Sequence, residues 1–321
     1  MSKTTKIWLV MAASLVLIGC IIFGGVMTML KWDFTKLSTG EYETHDYEID
    51  ENFNNISIVT DTADIVIVPS ENQKTSVVCH EQKNAKHSVT VHNGKLVIEI
   101  VDTRKWYEYI GINLGTPKIT VYIPQGEYGV LFVKSSTGNV EIPKEFKFEN
   151  IDISESTGNV MNYASASENI IIKTSTGNIR VENVSAGTLD LSVSTGGITV
   201  SDVTCEEDIK IKVSTGKTNL TNIDCKNVVS NGATGAISLK NVIAAEKFSI
   251  ERSTGDVKFD RCDAAEIFVE TDTGDVRGSL LTDKIFIVQT DTGNVDVPKT
   301  ATGGKCEITT STGDINISIK Q

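Results

Sequence analysis

Aromatic residues make up only 6% of the 321-residue chain, prolines number 5, and all four histidines, His45, His80, His87 and His92, lie in its first third. Few aromatics beside abundant Val, Ile, Thr and Ser point to β-structure, because β-branched side chains suit a pleated surface. The clustering of the histidines argues against His-based catalysis over most of the chain, and no Gly-x-Ser-x-Gly nucleophile elbow is present. Basic residues are also in deficit, 30 against 42 acidic for a net charge of −12. Such a surface repels nucleic acid and anionic headgroups, so nucleic-acid binding is excluded. Of the six cysteines, Cys20 sits in an apolar run and the other five cannot all pair, so a disulfide framework is not indicated.

Long apolar runs are absent except for Ile7–Leu30, which carries no charge. At about 1.5 Å rise per residue it is long enough to cross roughly 30 Å of hydrocarbon. Lys3 and Lys6 precede it, Lys31 follows, and Trp8 and Trp32 stand where interfacial aromatics belong. The stretch Leu17-Ile18-Gly19-Cys20 resembles a lipoprotein signal, but mostly apolar residues continue past Cys20 where such a signal turns polar. A cleaved signal also has a shorter apolar core, of about 7–15 residues. The run is read as an uncleaved, single-pass anchor. The polar block that follows is read as an ectodomain, with only a slight positive-inside bias to orient it.

The pair Thr-Gly recurs with glycines at Gly138, Gly158, Gly177, Gly196, Gly216, Gly235, Gly255, Gly274, Gly293 and Gly313, always 19 or 20 residues apart. Two and four places after most of these glycines come apolar residues, such as Ile179 and Val181 after Gly177. Five and seven places before them come others, such as Ile172 and Ile170. Asn162, Ser230 and Gly278 interrupt these columns. Each unit therefore holds two short period-2 strands on either side of a Thr-Gly turn, with polar residues between. One such unit cannot bury its apolar face, whereas stacked units form a continuous core.

The fold expected is all-β: a single-stranded parallel β-solenoid with 19–20-residue coils, preceded by one N-terminal transmembrane helix. Coils spaced about 4.8 Å apart make ten of them a rod roughly 50 Å long. The divisions expected are a short cytoplasmic tail (1–6), the helix (7–30), a linker (31–49), a β-rich cap or degenerate coils (50–130) and the ten-repeat solenoid (131–321). Within the cap, "IVTDTADIVIV" repeats the coil pattern with Ala63 in the glycine's place. The segment 102–117, with Trp106, Tyr107 and Tyr109, breaks the period and reads as a protruding loop.

With its apolar anchor, irregular β cap and ladder of "STGNI", "STGGI", "STGDV", "DTGDV" and "DTGNV", the chain resembles a bacterial putative-adhesin, domain-of-unknown-function family of envelope β-strand repeat proteins. The resemblance covers roughly residues 50–318. It implies a surface-exposed β-solenoid, membrane-tethered in many members, and supplies no catalytic residues.

Several residue groups are candidate sites. The Thr-Gly ladder suits either a flat hydroxyl array or, more simply, a structural turn in which glycine supplies positive φ. Asp256, Asp272, Asp275, Asp291 and Asp314 build an acidic stripe that offers Ca2+ oxygen ligands, or points into water. Cys205 and Cys225 each lie nine places after their glycines, which makes them vertical neighbours. They form a candidate disulfide pair or, like Ala186, Ala244 and Ala264 in the same column, small buried residues. Cys262 and Cys306 read as apolar fillers. Cys79, His80, His87 and His92 match no zinc spacing, so no metal or cofactor is implied.

The function expected is that of a membrane-anchored, surface-exposed, adhesin-like protein at the cell membrane, with an extracellular C-terminal ectodomain and no enzymatic activity. Its expected partners are the membrane, through the helix, and an envelope glycan or surface protein. The alternatives are an envelope-stress or regulatory accessory to a membrane signalling system and, less favoured, a glycan-processing solenoid enzyme.

Overall fold

The computed structural model describes residues 2–34, 40–106 and 115–320. The N-terminal helix, Lys3–Met29, starts earlier than the apolar run because the Ser2 side chain caps it, accepting from the Thr5 amide at 3.2 Å. It ends where Lys31 and Trp32 turn to positive φ. By length and composition it is able to cross a membrane.

The rung built around Gly177 shows how the sequence makes the coil. Ile170, Ile172 and Thr174 point inward before the corner, and Ile179 and Val181 point inward after it, all buried. The alternation of the pleat sends the residues between them outward. Each rung pairs in parallel with the next: Ile170 faces Leu189, Ile172 faces Leu191, Ile179 faces Ile198 and Val181 faces Val200. At the corner Gly177 has φ +143°, and its amide donates to the Thr195 carbonyl at 3.0 Å. A Cβ there would lie 1.9 Å from the Gly158 carbonyl oxygen, so glycine is required by both conformation and space.

The residues between the two expected strands are not simply polar. A second corner follows at Asn183, Asp202, Asn222, Asn241 and Arg261, whose φ values lie between 51° and 57°. Asn and Asp accept this left-handed conformation at low cost because their short polar side chains bond locally. Here they bond to each other, with Asn222 Nδ2 donating to Asp202 at 2.8 Å and Asn241 Nδ2 to Asn222 at 2.9 Å. Beyond this corner a third inward pair begins: Val184 and Ala186, then Val203 and Cys205, then Ile223 and Cys225. The section of the coil thus has three inward-facing segments where the sequence revealed two.

The interruptions in the apolar columns have local partners. Buried Asn162 donates to the Ala164 carbonyl and accepts from its amide. Buried Ser230 accepts from Arg252 Nη2 at 2.8 Å. Arg252 reaches inside the coil because residue 232 is glycine; a Cβ there would lie 2.2 Å from Nη1. Burial pushes the Arg252 guanidinium down to about 10.

At the N-terminal end the coil is closed by antiparallel strands. The elements are β1 (Tyr42–Ile49), β2 (Asn55–Val59), β3 (Asp64–Pro69), β4 (Thr75–Gln82), β5 (Ala85–His92), β6 (Lys95–Asp102) and β7 (Lys118–Ile123). β2 and β3 flank Ala63 and form a true rung against the Gly138 rung, with the Ala63 amide donating to the Thr137 carbonyl at 2.9 Å. β6 and β7 pair with that rung in parallel, and β5, β4 and β1 add antiparallel to them. The antiparallel strands begin at Tyr42, and the rung of β2 and β3 around Ala63 stacks on the Gly138 rung. Trp106 is exposed, while Tyr107 and Tyr109 of the expected loop lie outside the described residues.

At the other end the rungs do not stack in chain order. The Gly313 rung sits directly on the Gly274 rung: the Gly274 amide donates to the Thr312 carbonyl, and Glu270 faces Thr309. The Gly293 rung is outermost, with the Gly313 amide donating to the Thr292 carbonyl and Thr309 facing Gln289. Two sequence features explain the exchange. Pro298 lacks an amide to donate, which suits an edge and not an interior rung. Gly304 lets the returning chain pass the Ala265 carbonyl, which a Cβ would approach to 1.8 Å. The outermost rung leaves Ile285, Ile287 and Val295 exposed.

Candidate functional site

The residue after each corner glycine forms a hydrogen-bonded ladder. Asn139 Oδ1 accepts from the Asn159 amide at 3.0 Å and from its Nδ2 at 3.1 Å, and Asn159 Oδ1 serves Asn178 in the same way. In the late rungs the carboxylates of Asp256, Asp275 and Asp314 accept the amides of Asp275, Asp314 and Asn294 respectively. The Asn/Asp column is thereby engaged with backbone. Ser175, by contrast, is exposed at the corner.

The five aspartates singled out from the sequence do not converge. Asp256, Asp275 and Asp314 share the column after the glycine, and Arg277 reaches Asp256 at 2.8 Å and Asp275 at 3.4 Å. Asp272 and Asp291 lie in a different column, two places before the glycine, and the inserted Gly313 rung separates them. Burial works to raise the Asp256 carboxyl, but the Asp275 amide and Arg277 together hold it below the usual carboxylate range.

Cys205 and Cys225 do occupy neighbouring rungs of one column, facing Ala186 and Ala244 on their outer sides. Both are free thiols. Cys205 Sγ turns to the Gly187 carbonyl at 3.2 Å, and Cys225 Sγ to the Ile243 carbonyl at 3.9 Å. Burial pushes the first up to about 11 and the second to about 12. Cys262 and Cys306 are fully buried, as apolar fillers would be.

A buried carboxyl inside the coil was not anticipated. Glu155 faces Ser135 on one rung and Thr174 on the other, and among the described residues neither of its oxygens has a hydrogen-bond partner. Burial pushes its carboxyl from 4.5 up to about 7; Ser135 and the Thr157 amide pull the other way without closing a bond. The folded chain thus holds this proton more tightly than the unfolded chain does. Its contribution to stability is full at low pH and is lost as pH rises from about 4.5 to about 7. Glu155→Gln is expected to raise stability by about 2–3 kcal/mol near pH 8 and by much less near pH 5, as read from thermal unfolding at the two pH values.

The densest cluster of chemically capable groups lies in the cap. Antiparallel pairing of β1 with β4 sets His45 directly opposite Cys79, and the pleat puts Cys79 and Glu81 on the same face. The hairpin from β4 to β5 brings His87 onto Glu81. His87 Nδ1 donates to Glu81 Oε2 at 2.7 Å, and the His87 amide donates to the same oxygen at 2.7 Å. His45 Nδ1 reaches Glu81 Oε1 at 3.0 Å, and His87 Nε2 meets Thr60 Oγ1 at 2.8 Å. Glu81, His87 and Thr60 are all buried. Burial, then the Glu81 carboxylate, pushes the Cys79 thiol up to about 12. A cleft of about 260 Å3, lined by Tyr42, Asp61, Thr62, Gln82, His87 and Arg104, opens onto His87.

Of the four residues compared with zinc patterns in the sequence, the structure unites Cys79 and His87 and leaves out the other two. His80 points away, stacked on Tyr42 at 5.5 Å and bonded to Thr44, and His92 lies at the tip of the β5–β6 hairpin. Glu81 and His45 complete the cluster in their place. Hydroxyl, imidazole and carboxylate are in line as in a nucleophile relay, but Thr60 is 5% exposed and so presents no hydroxyl to a substrate.

No curated protein matches the chain. Among solved structures it is similar to a putative lipid binding protein from Parabacteroides distasonis ATCC 8503, at 17% identity and TM-score 0.47, over 88% of this chain and 98% of that one. It is also similar to a putative adhesin from Bacteroides fragilis NCTC 9343, at 18% identity and TM-score 0.45, over 88% and 99%. A third, a putative adhesin from Parabacteroides merdae ATCC 43184, has 11% identity and TM-score 0.46, over 88% and 98%. The profile of the Toastrack DUF4097 family matches residues 53–207 and again 198–321. With one family profile matching both halves of the rung stack, the chain belongs to the Toastrack DUF4097 family.

Proposed function

We propose that the protein is a membrane-anchored, surface-displayed, adhesin-like rod that binds or scaffolds in the cell envelope. The observation that carries this reading is the coupling of two parts: a 27-residue apolar helix with its side chains exposed, and a stack of hydrogen-bonded parallel rungs that repeat one corner. Exposed Ile7, Trp8, Leu9, Val10, Leu15 and Ile21 are what a bilayer would cover. In this reading the cap lies at the membrane end and the Gly293 rung is distal. Repeated outward side chains offer many weak contacts, and a rigid scaffold gives each further contact a high effective concentration.

The test uses intact cells that display the full chain, and a second version from which residues 178–216 are excised. Purified cell-wall glycan is the probe. The excision joins one rung corner to another in register, so the rod shortens without losing its core. External protease should reach the rod on intact cells, and glycan binding should fall with the shortened stack. Protection of the rod until the cells are lysed, or glycan binding that ignores rung number, would overturn the proposal.

A further inference from the structure

Cys79 Sγ, a carboxylate oxygen of Glu81 and a ring nitrogen of His87 all lie within 4.8 Å of one another, and all three residues are buried. A soft thiolate, an imidazole and one carboxylate make a donor set suited to a borderline-soft divalent ion. We propose that these three side chains form a binding site for one Zn2+ ion, entered through the cleft beside His87.

The surrounding contacts are those a metal site needs. Zinc takes thiolate at about 2.3 Å, imidazole nitrogen at about 2.0–2.1 Å and carboxylate oxygen at about 2.0–2.2 Å. The hydrogen bond from His87 Nδ1 to Glu81 Oε2, 2.7 Å long, marks where the ion would replace a proton. The pair need open by only about 0.7 Å to reach tetrahedral ligand spacing. Glu81 Oε1 stays bonded to His45, which orients the carboxylate, and Oε2 keeps the His87 amide. Thr60 orients the imidazole: its hydroxyl meets Nε2 at 2.8 Å and is able to accept the Nε2 proton once Nδ1 is metallated. His45 and Thr60 are positioning residues, and a water from the cleft completes the coordination. Binding releases the Cys79 thiol proton, and the proton that His87 Nδ1 gave to Glu81 moves to Nε2, where the Thr60 hydroxyl accepts its hydrogen bond.

The test is metal titration of the full chain in detergent micelles after dialysis against a chelator. Zn2+ is followed by stoichiometry and thermal unfolding, and Co2+ by its absorption. The expected results are one Zn2+ per chain, a raised unfolding temperature, and a near-ultraviolet thiolate-to-cobalt band with visible bands of tetrahedral intensity. Cys79→Ser should abolish the thiolate band, and Thr60→Val should weaken Zn2+ binding by about 10–100-fold. The wild-type cobalt spectrum decides the matter even if a variant misfolds. No thiolate band in the wild type, or a band that survives in a folded Cys79→Ser variant, would overturn the proposal.

Discussion

Gly177→Val is expected to cost about 4 kcal/mol or more, at the extreme of single-site effects. The cause is geometric. The residue has φ +143°, a conformation that β-branched side chains do not adopt, and its Cβ would lie 1.9 Å from the Gly158 carbonyl oxygen. That oxygen belongs to the backbone of the neighbouring rung, so no rotamer relieves the clash. Separating the rungs would break the parallel ladder on which Ile179, Val181 and Val184 depend for burial. In a stack, such damage is felt first by the rungs on either side. Denaturant unfolding and proteolysis near residues 160–200 would read it. Ser175→Ala, two residues away, is expected to stay within about 0.5 kcal/mol, because Ser175 is exposed on the corner. A Ser175→Ala variant that folds normally but loses a measurable activity would mean that the corner does chemistry after all.

The parts of the fold that were legible in the sequence are those fixed by local, repeated physics. The glycine column could be read because one conformation recurs at each of its ten glycines. The inward columns around it could be read because period-2 alternation is preserved there. The second corner at Asn183, Asp202, Asn222, Asn241 and Arg261 obeys a weaker rule, since several residue types tolerate left-handed backbone, and its signal is diluted accordingly. The third inward pair was hidden behind that corner.

The candidate site was less legible. His45 and Cys79 are 34 residues apart, and only the antiparallel register of β1 on β4 sets them opposite each other. Glu81 looks like any surface acid in a strand until the β4–β5 hairpin covers it with His87. Stacking in chain order would set Asp291 beside Asp272, whereas the Gly313 rung lies between them. The cue against that assumption was present in Pro298 and the Gly303-Gly304 pair, neither of which fits the interior of a regular rung.

The exchanged order at the end of the rod carries the other large expected effect, because cross-linking across it should be all or none. Glu270 faces Thr309, and Thr309 faces Gln289, so Glu270 and Gln289 are two rungs apart. Neighbouring rungs are about 4.8 Å apart and alternate ones about 9.6 Å, whereas a disulfide takes Cα atoms roughly 4.4–6.8 Å apart. The five native cysteines of the β-structure are buried and compete little for oxidant. The measurement that bears most directly on the stack of rungs is therefore oxidation of two paired-cysteine variants, followed by peptide mapping. Glu270→Cys with Thr309→Cys should close a disulfide nearly completely, and Glu270→Cys with Gln289→Cys should not. Closure of the second pair in preference to the first would contradict the stack described here.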